Sequence, residues 1–271
     1  MEQLRRQQLQ RRRRQRFFVG GGTAAVVIIV VAVLAAVLSS GSKPKTAAPT
    51  TTLASTTSTT AAPTPTTAPP VSVPLVNAPA KVGCPKLNGS SPHYTHFAAA
   101  PPTCVDTTKQ YTAKIVTDIG TMTVKLVAAQ DPASVNNFVF LAGYHFFDGT
   151  AFHRVCTGFV DQGGDPTGTG TGGPGYSFNG GAPKSSNVYT DGALAMANST
   201  GPSSDGSQFF IVVGNTGPSS LTPNYSYFGN VTAGLSVVNA INKDGTSAAA
   251  TNGSCPPRAV HKIIKVTITE S

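Results

Sequence analysis

The chain has 271 residues, with 20 Lys and Arg against 11 Asp and Glu, for a formal net charge of +9. Seven arginines (Arg5, Arg6, Arg11, Arg12, Arg13, Arg14 and Arg16) against one acid, Glu2, put +6 of that charge into residues 1–16. From Gly83 onward ten basic and ten acidic residues cancel, so no basic patch remains to release phosphate counterions, and nucleic-acid binding drops out of the expected functions.

In chain order, the basic tail 1–16 abuts Phe17–Leu38, 22 residues with neither charge nor proline. As a helix at ~1.5 Å per residue this stretch spans about 33 Å, enough for a ~30 Å hydrocarbon core. The preceding arginines place its N-terminal side in the cytoplasm. The expectation is therefore a transmembrane helix over 17–38, a single pass in the cytoplasmic membrane with the rest of the chain extracytoplasmic. The alternative is a signal peptide cleaved near Ser39-Ser40-Gly41. Signal-peptide apolar regions run ~7–15 residues, so the length favours a retained anchor. A buried soluble helix would have no need of the arginines. Residues 39–82 are dominated by Thr, Ala, Pro and Ser. They hold few large apolar side chains to offset ordering entropy and are expected to be an extended linker.

All four Cys and all five His lie beyond residue 82. Cys84 and Cys104 bracket an N-terminal extension, residues 83–108, with no core pattern of its own. An even cysteine count beyond an exported span points to disulfides. Pairing Cys84 with Cys104 closes a loop worth ~3 kcal/mol in the chain-entropy picture, and Cys156 and Cys255 are left to pair. A zinc site from Cys84, His93, His96 and Cys104 is the other reading, but its spacings are looser than usual ligand pairs. Four cysteines allow three pairings, and the sequence does not choose among them.

Residues 109–271 read as one domain. Tyr111–Asp118 and Thr121–Val127 look like strands around an Asp-Ile-Gly turn. Asp131-Pro132 reads as an N-cap with proline at the first helical position. Val135, Phe138, Val139 and Ala142 then fall on one helical face, closed by Gly143. Short apolar runs follow at Ala151–Val155, Phe159–Gln162, Ala193–Ala197, Gln208–Val213 and Tyr227–Val231. A second helix is expected over Ala233–Asn242. The last strand is His261–Thr269, with Ile264, Val266 and Ile268 on one face. About eight strands and two helices make a mainly antiparallel β-domain, and closing the sheet into a barrel is one way to remove its edges.

The chemistry has to lie between Phe152 and Phe210. No Gly-x-Ser-x-Gly elbow or His-Glu-x-x-His helix is present. The run Gly168–Gly173 matches G-x-G-x-x-G, but Pro174-Gly175 follow, so no helix N-terminus can hold a phosphate there. Asp148, Asp161 and Asp165 read as turn-capping or solvated carboxylates. What stands out is one arginine in an apolar run, Phe152-His153-Arg154-Val155, followed by Gly158-Phe159-Val160-Asp161-Gln162-Gly163-Gly164-Asp165. Met196-Ala197-Asn198 and Gly206-Ser207-Gln208-Phe209-Phe210-Ile211 come later.

In these motifs and their order the chain, over Lys109–Glu270, resembles the cyclophilin-type peptidyl-prolyl cis–trans isomerases, as a bacterial, membrane-anchored member. The resemblance implies a mainly β, cyclophilin-like, closed eight-stranded antiparallel barrel with two capping helices. It also implies a groove for X-Pro polypeptides. It makes Arg154 the catalytic donor, oriented by Gln162. Phe159, Val160, Phe210 and Leu221 then form the proline pocket. Ala197, the Asn198 main chain and the Gln208 side chain contact the rest of the substrate. Three positions depart from the family pattern: Val160 stands where Met is common, Ser220 where Trp is frequent, and Tyr225 where His often lies. Tyr225 would close the pocket with its ring, and the missing Trp predicts weak inhibition by cyclosporin-type ligands. His153 is read as packed beside the strand, since the reaction needs no base. No metal and no cofactor is required, and a monomer is expected. The implied activity is isomerase (rotamase) action on exported proteins; the alternative is a proline-peptide-binding module with little turnover.

Overall fold

The computed structural model describes residues 70–271. The basic tail, the apolar span and most of the linker lie outside the described residues. Eight strands form one antiparallel sheet: β1 (Tyr111–Thr117), β2 (Gly120–Leu126), β3 (Arg154–Cys156), β4 (Val160–Gly163), β5 (Ala193–Met196), β6 (Phe209–Val212), β7 (Tyr227–Ala233) and β8 (Ile263–Glu270). Their order across the sheet is β3-β4-β6-β5-β7-β2-β1-β8. Among the described residues the α-helices are α1 (Pro132–Gly143), a single turn α2 (Gly217–Ser220) and α3 (Leu235–Lys243).

The closed barrel expected from the sequence is not formed by a continuous ladder. β3 and β8 stand at the two ends of the sheet order. Only isolated bonds join β8 and its lead-in to the segment before β3: Gly149 N–H to Ile263 O at 2.7 Å, Phe152 N–H to His261 O at 2.9 Å and Ile263 N–H to Thr150 O at 2.8 Å. The reason is local: the expected strand Ala151–Val155 pairs as a strand only from Arg154 onward, and Ala151 makes isolated bridges.

α1 begins as its sequence dictates. Asp131 accepts from Ser134 N–H at 3.0 Å, and Pro132 occupies the first turn, where no donor is needed. Its Phe138 ring meets those of Phe147, Phe209 and Phe228 at 5.0, 5.6 and 5.2 Å in the main core. α3 starts two residues later than the periodicity indicates. Ala233 is still the last residue of β7, and Gly234 makes the turn at φ +83°. A Cβ there would collide with Thr121 O.

β8 carries a second correction. Lys265 lies opposite Val116, but Ile263, not Ile264, lies opposite Thr117. The extra residue is a bulge. It turns Ile264 outward, 51 % exposed, and puts Ile263 in the core beside Val266 and Ile268.

Both disulfides left open by the sequence are present, Cys84–Cys104 with Cα atoms 5.4 Å apart and Cys156–Cys255 with Cα atoms 5.0 Å apart. The sulfurs that the zinc alternative needs are joined to each other. Ordered packing also begins before Val82. Val73 N–H donates to Pro166 O at 2.7 Å, and Ala78 N–H to His96 O at 2.8 Å. The composition of residues 70–82 says linker because these contacts use backbone groups, which composition does not register.

Candidate active site

Strands β3, β4, β5 and β6 are covered on both faces, and this places the site. Along β6, Phe209 and Ile211 point into the main core, whereas Phe210 and Val212 belong to a second apolar layer with Val160, Ala193, Ala195 and Leu221. Side chains alternate along a strand, so the register lays one row on that second face. Arg154 lies opposite Gln162, Gln162 opposite Phe210, and Phe210 opposite Ala195. Residues far apart in sequence become neighbours at the ~4.8 Å spacing of strands.

Over this row lies a cavity of about 260 Å³ lined by Arg154, Gln162, Phe159, Val160, Phe210, Leu221, Tyr225, Ala197 and Asn198. Nine of the ten residues expected to act or bind are therefore around one hollow. The tenth, Gln208, lines an adjoining, more polar cavity of about 470 Å³. The two hollows share Gln162, Ala197 and Asn198. The outer wall of the larger one is the glycine loop, residues 170–174.

The guanidinium is held from two sides. Arg154 Nε donates to Gly253 O at 2.9 Å, and Nη1 to Gln162 Oε1 at 3.2 Å. Arginine can only donate, so it fixes the amide of Gln162, whose Nε2 then faces and donates to Gln208 Oε1 at 2.9 Å. The Gln208 Nε2 donates in turn to Gly170 O at 3.0 Å and Gly172 O at 2.8 Å. A polar relay thus runs from Arg154 to the glycine loop. Burial lowers the Arg154 pKa from the usual guanidinium value. The ordinary value is high enough that the group stays a cation. Two of its five N–H donors are committed within the protein, which leaves three for a ligand.

On the other side of the small cavity, Tyr225 stands edge-on to Phe210, with centroids 5.4 Å apart at 83°. The buried Tyr189 hydroxyl holds Tyr225 by its backbone, donating to its O at 2.7 Å and accepting from its N–H at 3.2 Å. The Asn198 side chain is committed to Asp205 Oδ1 and Asn224 O, both at 3.0 Å. The side-chain amide of Asn198 is thus occupied within the protein. Both ring nitrogens of His153 are buried without a hydrogen-bond partner, and burial lowers its pKa. The imidazole is packed beside the strand.

Sequence reasoning missed Tyr189 and Gly253; for Asp165 it gave a turn cap or a solvated carboxylate, and the structure shows the cap. Asp165 gathers Thr167 N–H at 2.7 Å, Gly170 N–H at 2.6 Å and Gly172 N–H at 3.1 Å, and so shapes the glycine loop. Burial acts to raise its pKa, but these hydrogen bonds outweigh it and hold the carboxyl below its ordinary value. The Asp-x-Thr spacing was the available signal for that cap. Nothing in the sequence marks Gly253 as a neighbour of Arg154.

Fold and groove together define an antiparallel β protein with a two-part cleft under one fixed guanidinium. The sequence model of the family "Cyclophilin type peptidyl-prolyl cis-trans isomerase/CLD" matches residues 112–268. The chain is 40% identical over 159 residues to the probable peptidyl-prolyl cis-trans isomerase B of Mycobacterium tuberculosis, covering 53% of this chain and 50% of that protein. It thus spans about half the length of that relative. It is 41% identical over 175 residues to the probable peptidyl-prolyl cis-trans isomerase A of Mycobacterium leprae, covering 58% of this chain and 92% of that one. Among solved structures, a Cryptosporidium parvum cyclophilin-type isomerase superposes with a TM-score of 0.52 at 30% identity, covering 60% of this chain and 99% of that chain. The chain belongs to the cyclophilin-type peptidyl-prolyl cis-trans isomerase family.

Proposed function

We propose that this chain is an active peptidyl-prolyl cis–trans isomerase, tethered by residues 17–38 to the cytoplasmic membrane, that assists the folding of exported proteins at its outer face. The observation that carries the activity is the shared hollow: a guanidinium with free donors lines the same proline-sized cavity as Phe159, Phe210, Leu221 and Tyr225. A solved C. parvum relative was crystallised in the presence of the dipeptide Ala-Pro, and superposes here with a TM-score of 0.51 at 30% identity.

Turning an X-Pro amide costs ~18–20 kcal/mol because rotation breaks C–N resonance. No bond to another atom forms or breaks, so neither nucleophile nor metal is called for. The twisted amide has a more basic, pyramidal nitrogen than the planar one. In this reading Arg154 donates toward that nitrogen, favouring the twisted state over the flat one, which is what catalysis requires. The apolar walls hold the pyrrolidine ring, and the main chain of Asn198 and the side chain of Gln208 hold the flanking peptide. A rate gain of 10⁴–10⁶ needs about 5–8 kcal/mol. One charged hydrogen bond supplies ~1.5–3 kcal/mol, so positioning and the pocket contribute the rest.

The tether rests on the uncharged stretch 17–38 behind seven arginines, and the extracytoplasmic placement on two disulfides with no free cysteine. The relatives from Mycobacterium support a bacterial member.

The test is cis–trans exchange of an X-Pro peptide, followed by NMR, with the full chain and with Arg154→Ala. The variant is expected to lose about 10- to 100-fold in kcat/KM. Equal rates for the two proteins overturn the mechanism. Peptide binding without exchange in the unaltered chain leaves a proline-peptide-binding module instead.

A further inference from the structure

Residues 70–108 precede the stretch 112–268 that matches the family, yet they reach the loop that walls the groove. Val73 N–H donates to Pro166 O at 2.7 Å, and Phe97 N–H donates to Pro174 O at 2.8 Å. These two carbonyls bracket the glycine loop. The extension therefore grips that loop at both ends. Its two gripping segments are tied to each other. Thr95 N–H donates to Val76 O at 2.9 Å, the buried Thr95 Oγ1 accepts from Val76 N–H at 2.7 Å, and that hydroxyl donates to Pro74 O at 2.9 Å. Contact is close along the loop as well. A side chain at Gly168 would collide with the Val71 backbone, and one at Gly175 would meet Phe97 O and the His96 ring.

From the loop the connection passes directly to the site. Gly170 and Gly172 offer their carbonyls to Gln208, and Gln208 meets Gln162. The same loop is the outer wall of the 470 Å³ cavity. We propose that segment 71–97 braces the glycine wall of the substrate groove from behind: by clamping that loop it sets the affinity for peptides long enough to extend past the proline pocket. Val73 and Thr95 are then positioning residues, acting through the loop without touching substrate. The inference rests on the groove being the substrate site, as argued under the proposed function.

The experiment uses the full chain and two blocked substrates, one of Ala-Pro size that fills only the small cavity, and an octapeptide with proline at its centre. Val73→Pro removes the N–H that holds Pro166 O, Val73→Ala keeps it, and Thr95→Val removes the two hydroxyl bonds that join the gripping segments. Val73→Pro and Thr95→Val are expected to raise KM for the octapeptide about five- to tenfold, the scale of one lost hydrogen bond. Their kcat and their kinetics on the short substrate should stay as in the unaltered chain, with Val73→Ala behaving as the unaltered chain throughout. Faster amide exchange at Gly170 and Gly172 verifies that the loop has loosened. A loosened loop with unchanged octapeptide KM overturns the inference, as does an equal loss on both substrates, which marks a general structural role. If Val73→Pro fails to fold, Thr95→Val decides by the same readout. An unaltered chain that turns over neither substrate overturns instead the function beneath the inference, and the inference with it.

Discussion

The two faces of the strands β3 to β6 are built from adjacent residues but do different work. On the inner face Phe209, Ile211, Leu194 and Met196 pack with the aromatic rings of α1 in a large apolar core. On the outer face Phe210, Val212, Ala193 and Ala195 form a thinner layer closed by the Cys156–Cys255 disulfide. The inner face is filled, while the outer face leaves a hollow bounded by Arg154 and Tyr225. One strand thus packs its odd residues into the main core and turns Phe210 toward the hollow. A chain buried on both faces loses the polar alternation of a half-exposed strand, and β6 is buried at all four of its positions.

The comparison breaks most sharply at Phe209 and Phe210. Phe209→Ala should cost about 3–5 kcal/mol of stability, read by urea unfolding, while the molecules that remain folded keep their turnover. Phe210→Ala should cost less stability, since it lines a hollow, but raise KM about tenfold for any X-Pro peptide by removing a pocket wall. Equal stability losses with equal KM changes would dissolve the distinction between the faces.

A smaller effect separates packing from positioning on the outer face. Arg154 and Cys156 lie two apart on β3, and their partners Gly253 and Cys255 lie two apart on the facing loop. The disulfide therefore keeps that loop in register beside the guanidinium. Replacing Cys156 and Cys255 together by Ser should lower kcat about five- to tenfold through loss of the Gly253 contact, with KM little changed. Unaltered kcat in a folded double variant would make the bridge a purely structural staple.

The smallest effect belongs to Asp161, which sits between the row residues Val160 and Gln162 but is buried on the inner side. Burial pushes its pKa from 3.8 up to about 7, against the hydrogen bond from Asn242. The folded chain then holds a proton that the unfolded chain releases, so stability falls as pH rises through the window from about 4 to about 7 and levels off above it. Asp161→Asn should flatten that fall, read as urea midpoints at pH 5 and pH 8. A residual slope of the same sign remains from Asp205, whose pKa burial raises to about 6. An unchanged slope would mean that Asp161 is not the proton holder.

Much of this molecule was legible in its residues. Asp131-Pro132 announced α1, and alternation announced β1 and β2. The spaced motifs around Arg154, Gln162, Gln208 and Phe210 pointed to the groove, because each motif is local and its residue types carry their own chemistry. The misses came where the cause is non-local. Ile264 alternates correctly with Val266, yet a bulge against Val116 and Thr117 turns it outward. Gly253 and Tyr189 touch the site through long-range contacts that leave no mark on their own neighbours in sequence. Residues 70–82 look like linker because their order comes from hydrogen bonds of their backbone to groups outside the stretch, Pro166, Thr95 and His96. The sequence by itself determined which side chains face together along the unbulged strands, because the period of two is a property of the extended backbone. Only the tertiary structure decided which strands lie side by side and in what register, because that depends on groups distant in sequence burying one another, and it is register that sets Arg154 beside Gln162 and Phe210.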